Sequence, residues 1–271
     1  MDRHFLRLTK FFSVFFSLIL LTLVQTVLSV DQHFQACEPK NCGSGPDISY
    51  PFWIHQVHED YCGYPGFRIN CRNDEPILQT SNNDYIIQDI FYNNQSFWLM
   101  DSGSVDKPCP APLHNFTTNR APFEFAQNVA NLVFFYNCTT LYPVENLTYP
   151  VFCDTNRSLH SFAMLLPRGQ LDYSIYASLE CKHVVGAPVD FDGELIPKAV
   201  EQRNYNLFLQ NGFALRWITT ATSCIKCLRS GGRCGFLKEE FVCFCSDRPH
   251  SKSCKGMYIT NCTDRPHSYF P

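Results

Sequence analysis

Residues 224–254 read CIKCLRSGGRCGFLKEEFVCFCSDRPHSKSC, which places six of the fifteen cysteines in one short segment. Eight other cysteines are spread over the preceding chain, and Cys262 is left over. Even numbers in both groups favour two separately disulfide-stapled modules. We therefore predict seven disulfides and a free Cys262, through which two copies of the chain could form a covalent dimer. Zinc or redox chemistry at Cys224-Ile-Lys-Cys227 is the alternative, but the four other close cysteines and an oxidising compartment disfavour it.

The first 29 residues have the pattern of an export signal. Three basic residues precede the apolar run of residues 11–24, and Val27 and Ser29 fit the two small positions before a cleavage site. A retained membrane anchor is the alternative, but polar residues interrupt the run and leave it short of the ~20 apolar residues of a span. We predict a secreted, extracellular protein with no membrane span in the mature chain.

Charge is distributed unevenly along the chain. Removal of residues 1–29, which contain three basic residues and one acid, changes the net charge from −3 to −5. Such a chain lacks the basic character that nucleic-acid binding requires. Residues 34–109 carry a net charge of −6, whereas residues 224–262 carry +4. This asymmetry is either ordinary solvated surface charge or a functional difference between two modules.

Six N-x-S/T sequons are candidate glycosylation sites and, in an exported chain, markers of the surface. Five of them fall between residues 94 and 156, which suggests one sugar-covered face. The six asparagines are Asn94, Asn115, Asn137, Asn146, Asn156 and Asn261.

Aromatic residues make up 15% of the chain, and their side chains favour the pleated surface of β-sheets. Apolar runs bounded by turn residues predict four strands, and alternation predicts a fifth over residues 171–179. The four runs are Tyr85–Phe91, Ser96–Met100, Leu132–Tyr136 and Phe162–Leu166. We predict a mainly β fold of two disulfide-stapled, β-rich modules.

The second module is predicted to contain one short helix. Pro197 would lie in its first turn, Ile196, Val200 and Leu207 would share one face, and Gly212 would end it.

The front of the chain carries a series of ordered motifs. Cys42-Gly43 is followed by the sequence ISYPFW at residues 48–53 and by CGYPGF at residues 62–67. This series resembles the galacturonan-binding domain of plant wall-associated receptor kinases. Later motifs resemble the C-terminal associated domain of the same family, and they lie at Asn131–Cys138, Gly212–Trp217 and Cys224–Gly235. The likeness covers residues 34–254 and is greatest to ectodomains of leaf-rust-resistance-type receptor-like kinases, without the kinase.

The resemblance implies a domain order. A signal peptide (1–29) would precede a galacturonan-binding-like module (30–110), a β-rich associated module (111–223), a cysteine-rich end (224–262) and a tail (263–271). The cysteine-rich end resembles an EGF-like module, with a Gly-Gly turn before its third cysteine. The pairs that this likeness implies are Cys224–Cys234, Cys227–Cys243 and Cys245–Cys254.

The resemblance also implies ligand contacts in the front module. Aromatic rings can stack on the C–H face of a sugar, and arginines can bind the carboxylates of a polygalacturonate. The alternative is that these rings form the core of a small disulfide-linked domain. The candidates are Tyr50, Trp53, Tyr61, Tyr64, Phe67, Arg68 and Arg72.

The negative charge of the front module opposes a polyanionic ligand. Either the two arginines form a local basic spot, or Ca²⁺ bridges protein and pectin carboxylates; no other cofactor is expected. The rear module is positively charged, so we predict that Ca²⁺-free binding to polygalacturonate resides mainly in residues 224–262. The candidate contacts there are Lys226, Arg229, Arg233, Lys238, Arg248, Lys252 and Lys255.

The sequence lacks catalytic signatures. It has no glycine-rich kinase loop or HRD motif, and the sequence DFDG at residues 190–193 is not the metal-binding DFG. His55 and His58 lack further ligands that would complete a metal site. We predict a non-enzymatic protein of the plant cell wall that binds pectin-type polysaccharide. The alternative is a soluble receptor-like module that binds a peptide or protein ligand or a receptor kinase; a secreted enzyme is disfavoured.

Overall fold

The computed structural model describes most of the chain between Val30 and Cys254. The described residues are 15–16, 30–80, 83–104, 111–117, 122–140, 147–152, 160–166, 180–191, 195–202, 204–218 and 221–254. The chain divides into two compact units. Pro39–Thr220 form one, called here the sheet unit; Met1–Glu38 and Ala221–Pro271 form the other, called here the cysteine unit.

A seven-stranded sheet is the larger element of the sheet unit, with the order β1-β2-β3-β4-β5-β11-β6. The pair β1–β2 is parallel, and the other pairs are antiparallel. The strand next to β5 comes from much later in the chain, because β11 pairs through Phe213 with Leu99 and through Trp217 with Phe123. The strands are β1 (Trp53–Ile54), β2 (Arg68–Arg72), β3 (Glu75–Gln79), β4 (Asp84–Phe91), β5 (Ser96–Asp101), β6 (Phe123–Phe125) and β11 (Phe213–Trp217).

Aromatic rings fill the core of this sheet. Along β11, Phe213, Leu215 and Trp217 are buried while the intervening residues point outward, as the period of two in a strand requires. Phe52 has its ring centroid 5.1 Å from that of Phe97 and 5.3 Å from that of Trp217, both in edge-to-face contact. Such pairs add about 0.5–1.5 kcal/mol each beyond the area that they bury.

A four-stranded antiparallel sheet completes the β-structure of this unit, with the order β10-β7-β9-β8. One face, which carries Leu132, Phe134 and Val185, packs against helix residues such as Phe208. The other face carries Val133, Phe135 and Phe162. The elements are β7 (Val129–Cys138), β8 (Thr148–Pro150), β9 (His160–Leu166), β10 (His183–Asp190) and the helices α2 (Leu195–Gln202) and α3 (Asn206–Asn211).

Two helices occupy the region where the sequence predicted one. The break follows from Asn204, whose side-chain oxygen accepts a hydrogen bond from the backbone N–H of Asn206 (3.0 Å). Asparagine at such a position competes with helical hydrogen bonding and starts a new helix. Gly212 ends α3 with a positive φ of 78°, as predicted.

The cysteine unit is built on the hairpin of β12 (Arg233–Leu237) and β13 (Glu240–Phe244), extended by β14 (Pro249–His250). Helix α4 (Ala221–Arg229) precedes the hairpin. The N-terminal helix α1 (Gln32–Ala36) belongs to this unit. Its cap, Asp31, accepts hydrogen bonds from two N–H groups of the first turn, and the His33 ring stacks on Phe244 at 5.2 Å.

All twelve cysteines in the described ranges are disulfide-bonded. Cys42–Cys71 and Cys138–Cys181 connect strands or loops of the sheet unit. The cysteine unit contains Cys224–Cys234, Cys227–Cys243 and Cys245–Cys254, the same pairs that the EGF-like likeness implies. Cys109, Cys153 and Cys262 lie outside the described residues, so the free Cys262 stays a prediction.

The prediction of a mainly β fold is confirmed, and the four predicted non-alternating strands are present in β4, β5, β7 and β9. The predicted strand over residues 171–179 lies outside the described residues. The seven-stranded sheet crosses the predicted boundary at residue 110, since β6 and β11 both follow it. In the part of the chain that the structure describes, the helices are too short or too polar to cross a bilayer.

Candidate functional site

The outermost strands of the seven-stranded sheet bring several of the predicted ligand contacts together. Trp53 of β1 is the register partner of Arg68 of β2, and Ile54 is the partner of Ile69. Register partners share a face. Both isoleucines are buried, whereas Arg68 is exposed and Trp53 is half-buried. The tryptophan and the arginine therefore lie side by side on the outer face of the sheet edge.

Gly63 determines where the Trp53 ring can lie. A Cβ at this glycine would stand 2.1 Å from the Cδ1 atom of Trp53, so the indole packs directly on the backbone. The next residue, Tyr64, donates its backbone N–H to the carbonyl of Pro51 (2.8 Å). The CGY sequence thus connects the tryptophan to the loop that carries Tyr50.

Tyr50 and Tyr64 are neighbours across this loop, and both are half-buried. Burial raises the pKa of Tyr50 to about 12, with a smaller contribution from the charge of Tyr64. The Tyr50 hydroxyl is therefore a neutral hydrogen-bonding group at the pH of any biological ligand. We call the group Tyr50, Trp53, Tyr64 and Arg68 the edge surface.

The loop that carries Tyr50 is fixed by the hydroxyl of a half-buried tyrosine that the sequence did not single out. Tyr92 Oη accepts a hydrogen bond from the N–H of Ser49 (2.8 Å) and donates one to the carbonyl of Asp47 (3.0 Å). Burial raises the pKa of Tyr92 as well. Tyr92 lies 43 residues after Ser49 in the chain, and no pattern in the sequence indicated that the two residues are in contact.

Two of the predicted ligand contacts, Phe67 and Tyr61, do not belong to the edge surface. Phe67 is fully buried and packs edge-to-face on Phe52 and Phe123, so it is a core residue and not a ligand contact. The alternation that buries Phe67 and Ile69 and exposes Arg68 is visible in the sequence and would have indicated this. Tyr61 lies in a short 3₁₀ helix (Asp60–Cys62) and is half-buried.

The two arginines of β2 differ in their electrostatic partners. Arg72 forms an ion pair with Asp84, which compensates its charge. In the described ranges, no carboxylate lies within ion-pair distance of Arg68. An exposed cation beside an aromatic ring can bind a carboxylate in a bidentate manner, so Arg68 is the stronger of the two candidates.

The two histidines near the edge surface have different environments. His55 is exposed and its ring lies 6.2 Å from that of Trp53. His58 is buried, and its Nδ1 accepts the backbone N–H of Ile54 (3.1 Å). His58 therefore stabilises the turn after β1.

The cations of the cysteine unit are spread over several elements. Lys226 and Arg229 lie in the last turn of α4, where they compensate the helix dipole. Lys238 lies at the tip of the β12–β13 hairpin, and Arg248 lies in the turn at its other end. Together with Lys252 these side chains are exposed, while Lys255 lies outside the described residues.

Arg233 is used within the cysteine unit itself. Its guanidinium lies 4.1 Å from the ring centroid of Phe34, donates a hydrogen bond to the Phe34 carbonyl, and contacts Glu38 at 3.3 Å. The group is half-buried. Its role as a polyanion contact stays a prediction, and its charge and donors already hold α1 against the hairpin.

The sulfurs of Cys243, Cys245 and Cys254 lie within 4.8 Å of one another, but all three are in disulfides. They therefore have no thiolate to offer a metal ion. Cys224 and Cys227 belong to two different disulfides, so the CIKC sequence is structural.

Three of the six sequon asparagines are described. Asn94 lies exposed in the turn between β4 and β5, and Asn115 lies exposed in the segment 111–117. Asn137 is half-buried beside the Cys138–Cys181 disulfide. Asn146, Asn156 and Asn261 lie outside the described residues.

Two regions of the chain match known families. Residues 37–101, which include the edge surface, match the family described as wall-associated receptor kinase galacturonan-binding. Residues 152–248 match the family described as wall-associated receptor kinase C-terminal. The two matched regions are similar to two domains of wall-associated receptor kinases, and both domains belong to extracellular domain families of cell-wall receptors.

Similar curated proteins are receptor-like kinases of Arabidopsis thaliana. The chain is 40% identical over 232 residues to leaf rust 10 disease-resistance locus receptor-like protein kinase-like 1.2. This alignment covers 84% of this chain and 35% of the relative. It is 28% identical over 250 residues to protein kinase-like 2.1 of the same series, over 89% of this chain and 38% of the relative. The chain thus spans little more than a third of these relatives. No solved structure matches it.

Proposed function

We propose that the chain is an extracellular, non-catalytic protein that binds galacturonan through the edge surface. One observation carries the proposal: the half-buried Trp53, in the region that matches the galacturonan-binding family, is the register partner of Arg68, a cation without an ion-pair partner in the described ranges. The rings offer flat apolar faces to the C–H face of the sugar. The guanidinium offers two parallel N–H donors to a uronate carboxylate.

The overall negative charge of residues 34–109 argues for a local contact and not for long-range attraction of a polyanion. Attraction between exposed charges decays within about 10 Å at 0.1 M salt. A single arginine beside an aromatic ring can therefore bind one uronate although acids lie elsewhere on the module. Ca²⁺ would extend the contact by bridging exposed acids such as Glu59 and Asp60 to further carboxylates of the ligand.

The test is pectate binding by the full chain and by matched arginine variants. The full chain is required because β11 completes the sheet that holds the edge surface. Arg68→Gln should weaken binding by about tenfold or more, the effect of losing a charged hydrogen bond of roughly 1.5–3 kcal/mol. Arg72→Gln, in which a cation already paired with Asp84 is removed, should weaken it much less. Equal effects of both variants would contradict the proposal.

Trp53→Ala tests the aromatic part of the edge surface. We expect a loss of about tenfold in pectate affinity in EDTA and in Ca²⁺ alike, since stacking does not depend on the ion. Unchanged pectate binding by Trp53→Ala would show that the Trp53 ring has a structural role and does not contact the ligand.

The cysteine unit provides a separate electrostatic contact in this proposal. Apart from the half-buried Arg233, five of the candidate cations are described and exposed: Lys226, Arg229, Lys238, Arg248 and Lys252. Replacement of Lys226 and Arg229 by Gln should reduce the Ca²⁺-free binding at low salt and have little effect at high salt. If Arg68→Gln alone abolishes binding in EDTA at low salt, the cysteine unit has no part in it.

A protein ligand is the second candidate, and α4 carries the observation that favours it. Ile225 and Leu228 are 46% and 57% exposed and are three residues apart, so they are neighbours on one side of the helix. A receptor partner would cover them. Replacing both with Ser should leave pectate binding unchanged and abolish binding to such a partner. Loss of pectate binding in this variant would favour a polysaccharide contact at α4 instead.

A further inference from the structure

The irregular segment 111–117 covers the free edge of strand β10. Because β10 is the outermost strand of the four-stranded sheet, its outward N–H groups need partners from elsewhere. The Asn115 side-chain oxygen accepts the N–H of Gly186 at 2.8 Å. Two further contacts fix the segment: Tyr136 Oη donates to the Pro112 carbonyl (2.6 Å), and the Phe116 ring lies 5.1 Å from that of Tyr85.

Two cavities adjoin Asn115. One, of about 270 Å³, has apolar walls from Phe116, Phe125, Val133 and Pro188. The other, of about 380 Å³, has polar walls from His114, Thr117 and His183. Asn115 and Val184 border both. Gly186 keeps the sheet side open, since a Cβ there would meet only the Asn115 oxygen, at 3.8 Å.

Asn115 is the first residue of the sequon Asn115-Phe116-Thr117. Its amide oxygen is occupied by the Gly186 N–H, whereas a glycan is attached to the amide nitrogen. A hydrogen bond to the oxygen of a planar amide fixes the direction of the nitrogen as well. The direction in which a sugar linked to this nitrogen leaves the β10 edge is therefore fixed.

We propose that Asn115 carries an N-linked glycan whose first N-acetylglucosamine residues lie in these two cavities and cover the β10 edge. The mixed lining suits this sugar. Its N-acetyl methyl group and C–H face match the phenylalanine and proline walls, and its hydroxyls match the histidine and threonine groups. Attachment to Asn115 supplies a high effective concentration, so the contact forms without strong intrinsic affinity.

Asn94 is the matched control within the same unit. It lies exposed in the β4–β5 turn, where its amide oxygen accepts a hydrogen bond from Ser96, the third residue of its own sequon, at 2.6 Å. A glycan at Asn94 starts from a turn, whereas one at Asn115 starts between two cavities. The two sites therefore differ in the surface beside the sugar while the chemistry of attachment is the same.

The experiment uses the full chain secreted from a eukaryotic host that attaches high-mannose glycans. An endoglycosidase that cleaves between the first two N-acetylglucosamine residues is added to the native protein, and glycopeptides are quantified by mass spectrometry over time. We expect the Asn115 glycan to be trimmed at least about tenfold more slowly than the Asn94 glycan, since local opening must precede cleavage. After denaturation and reduction, both should be trimmed at the same rate. An unmodified Asn115, or equal rates in the native protein, would overturn the proposal.

Variants that remove each sequon separate the sugar from the side chain. Thr117→Ala should lower the melting temperature, while Thr117→Ser, which keeps the sequon, should restore it. Ser96→Ala should have a smaller effect than Thr117→Ala. A Thr117→Ser variant that is glycosylated yet as unstable as Thr117→Ala would show that the threonine itself, and not the glycan, stabilises the segment.

Discussion

The sheet unit and the cysteine unit are both β-rich, but different contacts hold them together. In the sheet unit, rings such as Phe52, Phe97 and Trp217 interlock between strands. In the cysteine unit there are three disulfides, and sulfurs of two of them, Cys227–Cys243 and Cys245–Cys254, surround Gly232, whose position has no room for a side chain. The first unit should therefore respond mainly to changes of shape in its core, and the second mainly to changes around its sulfurs.

Gly212→Ala should give the largest effect and confine it to the sheet unit. Gly212 has a φ of 78°, and a Cβ would lie 2.1 Å from the carbonyl oxygen of Leu99. Because a backbone atom is in the way, β11 must move away from β5. We expect a loss of about 4 kcal/mol or more, measured by thermal unfolding with near-ultraviolet circular dichroism. An unchanged melting temperature would show that β11 is not essential to the sheet.

Gly232→Ala is the corresponding test of the cysteine unit. A Cβ would lie 2.5 Å from Cys243 Sγ, 2.7 Å from Cys227 Sγ and 2.8 Å from Cys254 Sγ. We expect a loss of about 2–4 kcal/mol or mispaired disulfides, detected by non-reducing peptide mapping. Gly231→Ala is the control: its φ is 77° but its surroundings are open, so only the backbone cost of about 1–2 kcal/mol applies. Equal effects of both would mean that the sulfurs tolerate the methyl group.

Arg233→Gln should have a smaller effect and loosen one contact of the cysteine unit. It removes the cation over Phe34 and the hydrogen bond to the Phe34 carbonyl. We expect a loss of about 1–3 kcal/mol and faster proteolysis within residues 31–38. Arg229→Gln, at an exposed position of α4, should stay within about 0.5 kcal/mol. Proteolysis that is equally slow in both variants would mean that α1 is held by other contacts.

Tyr50→Phe should have the smallest effect, and only in alkali. The pKa of Tyr50 is raised from 10.0 to about 12 by burial, so below pH 10 its hydroxyl is neutral in both the folded and the unfolded protein. As the pH rises from 10 to 12, the hydroxyl ionises more readily in the unfolded protein, and the folded state loses stability. The variant should therefore match the parent at pH 7 and resist alkaline unfolding slightly better, as followed by absorbance at 295 nm. If the variant and the parent unfold at the same alkaline pH, the pKa of Tyr50 is not raised by folding.

Local patterns in the sequence predicted four of the strands and the three disulfides of the cysteine unit. The cysteine pairs are close in the chain, with separations of 10, 16 and 9 residues, so the spacing and the likeness to EGF-like modules were sufficient. Strands such as β4 and β7 follow from apolar runs between turn residues. The motif around Trp53 likewise indicated the edge surface.

Contacts between distant parts of the chain were not predictable in this way. Arg233 and Phe34 are 199 residues apart, and a cation looks the same in the sequence whether it is solvated or already engaged. The position of β11 between β5 and β6 is a second example, because strand order depends on which edges are free when the strands meet. Phe67 was misassigned although its period-two alternation with Arg68 and Ile69 was visible.

The position of β11 has a consequence for how the protein is made. Trp98 on β5 and Asn211 beside β11 are 113 residues apart yet share a hydrogen bond. At about 5–20 residues per second, the ribosome needs roughly 6–23 s between these two points. During that time the edge of β5 has no partner from β11, and exposed strand edges promote aggregation. The seven-stranded sheet can therefore be completed only late in synthesis. Until then the cell must keep the nascent chain from pairing with other chains.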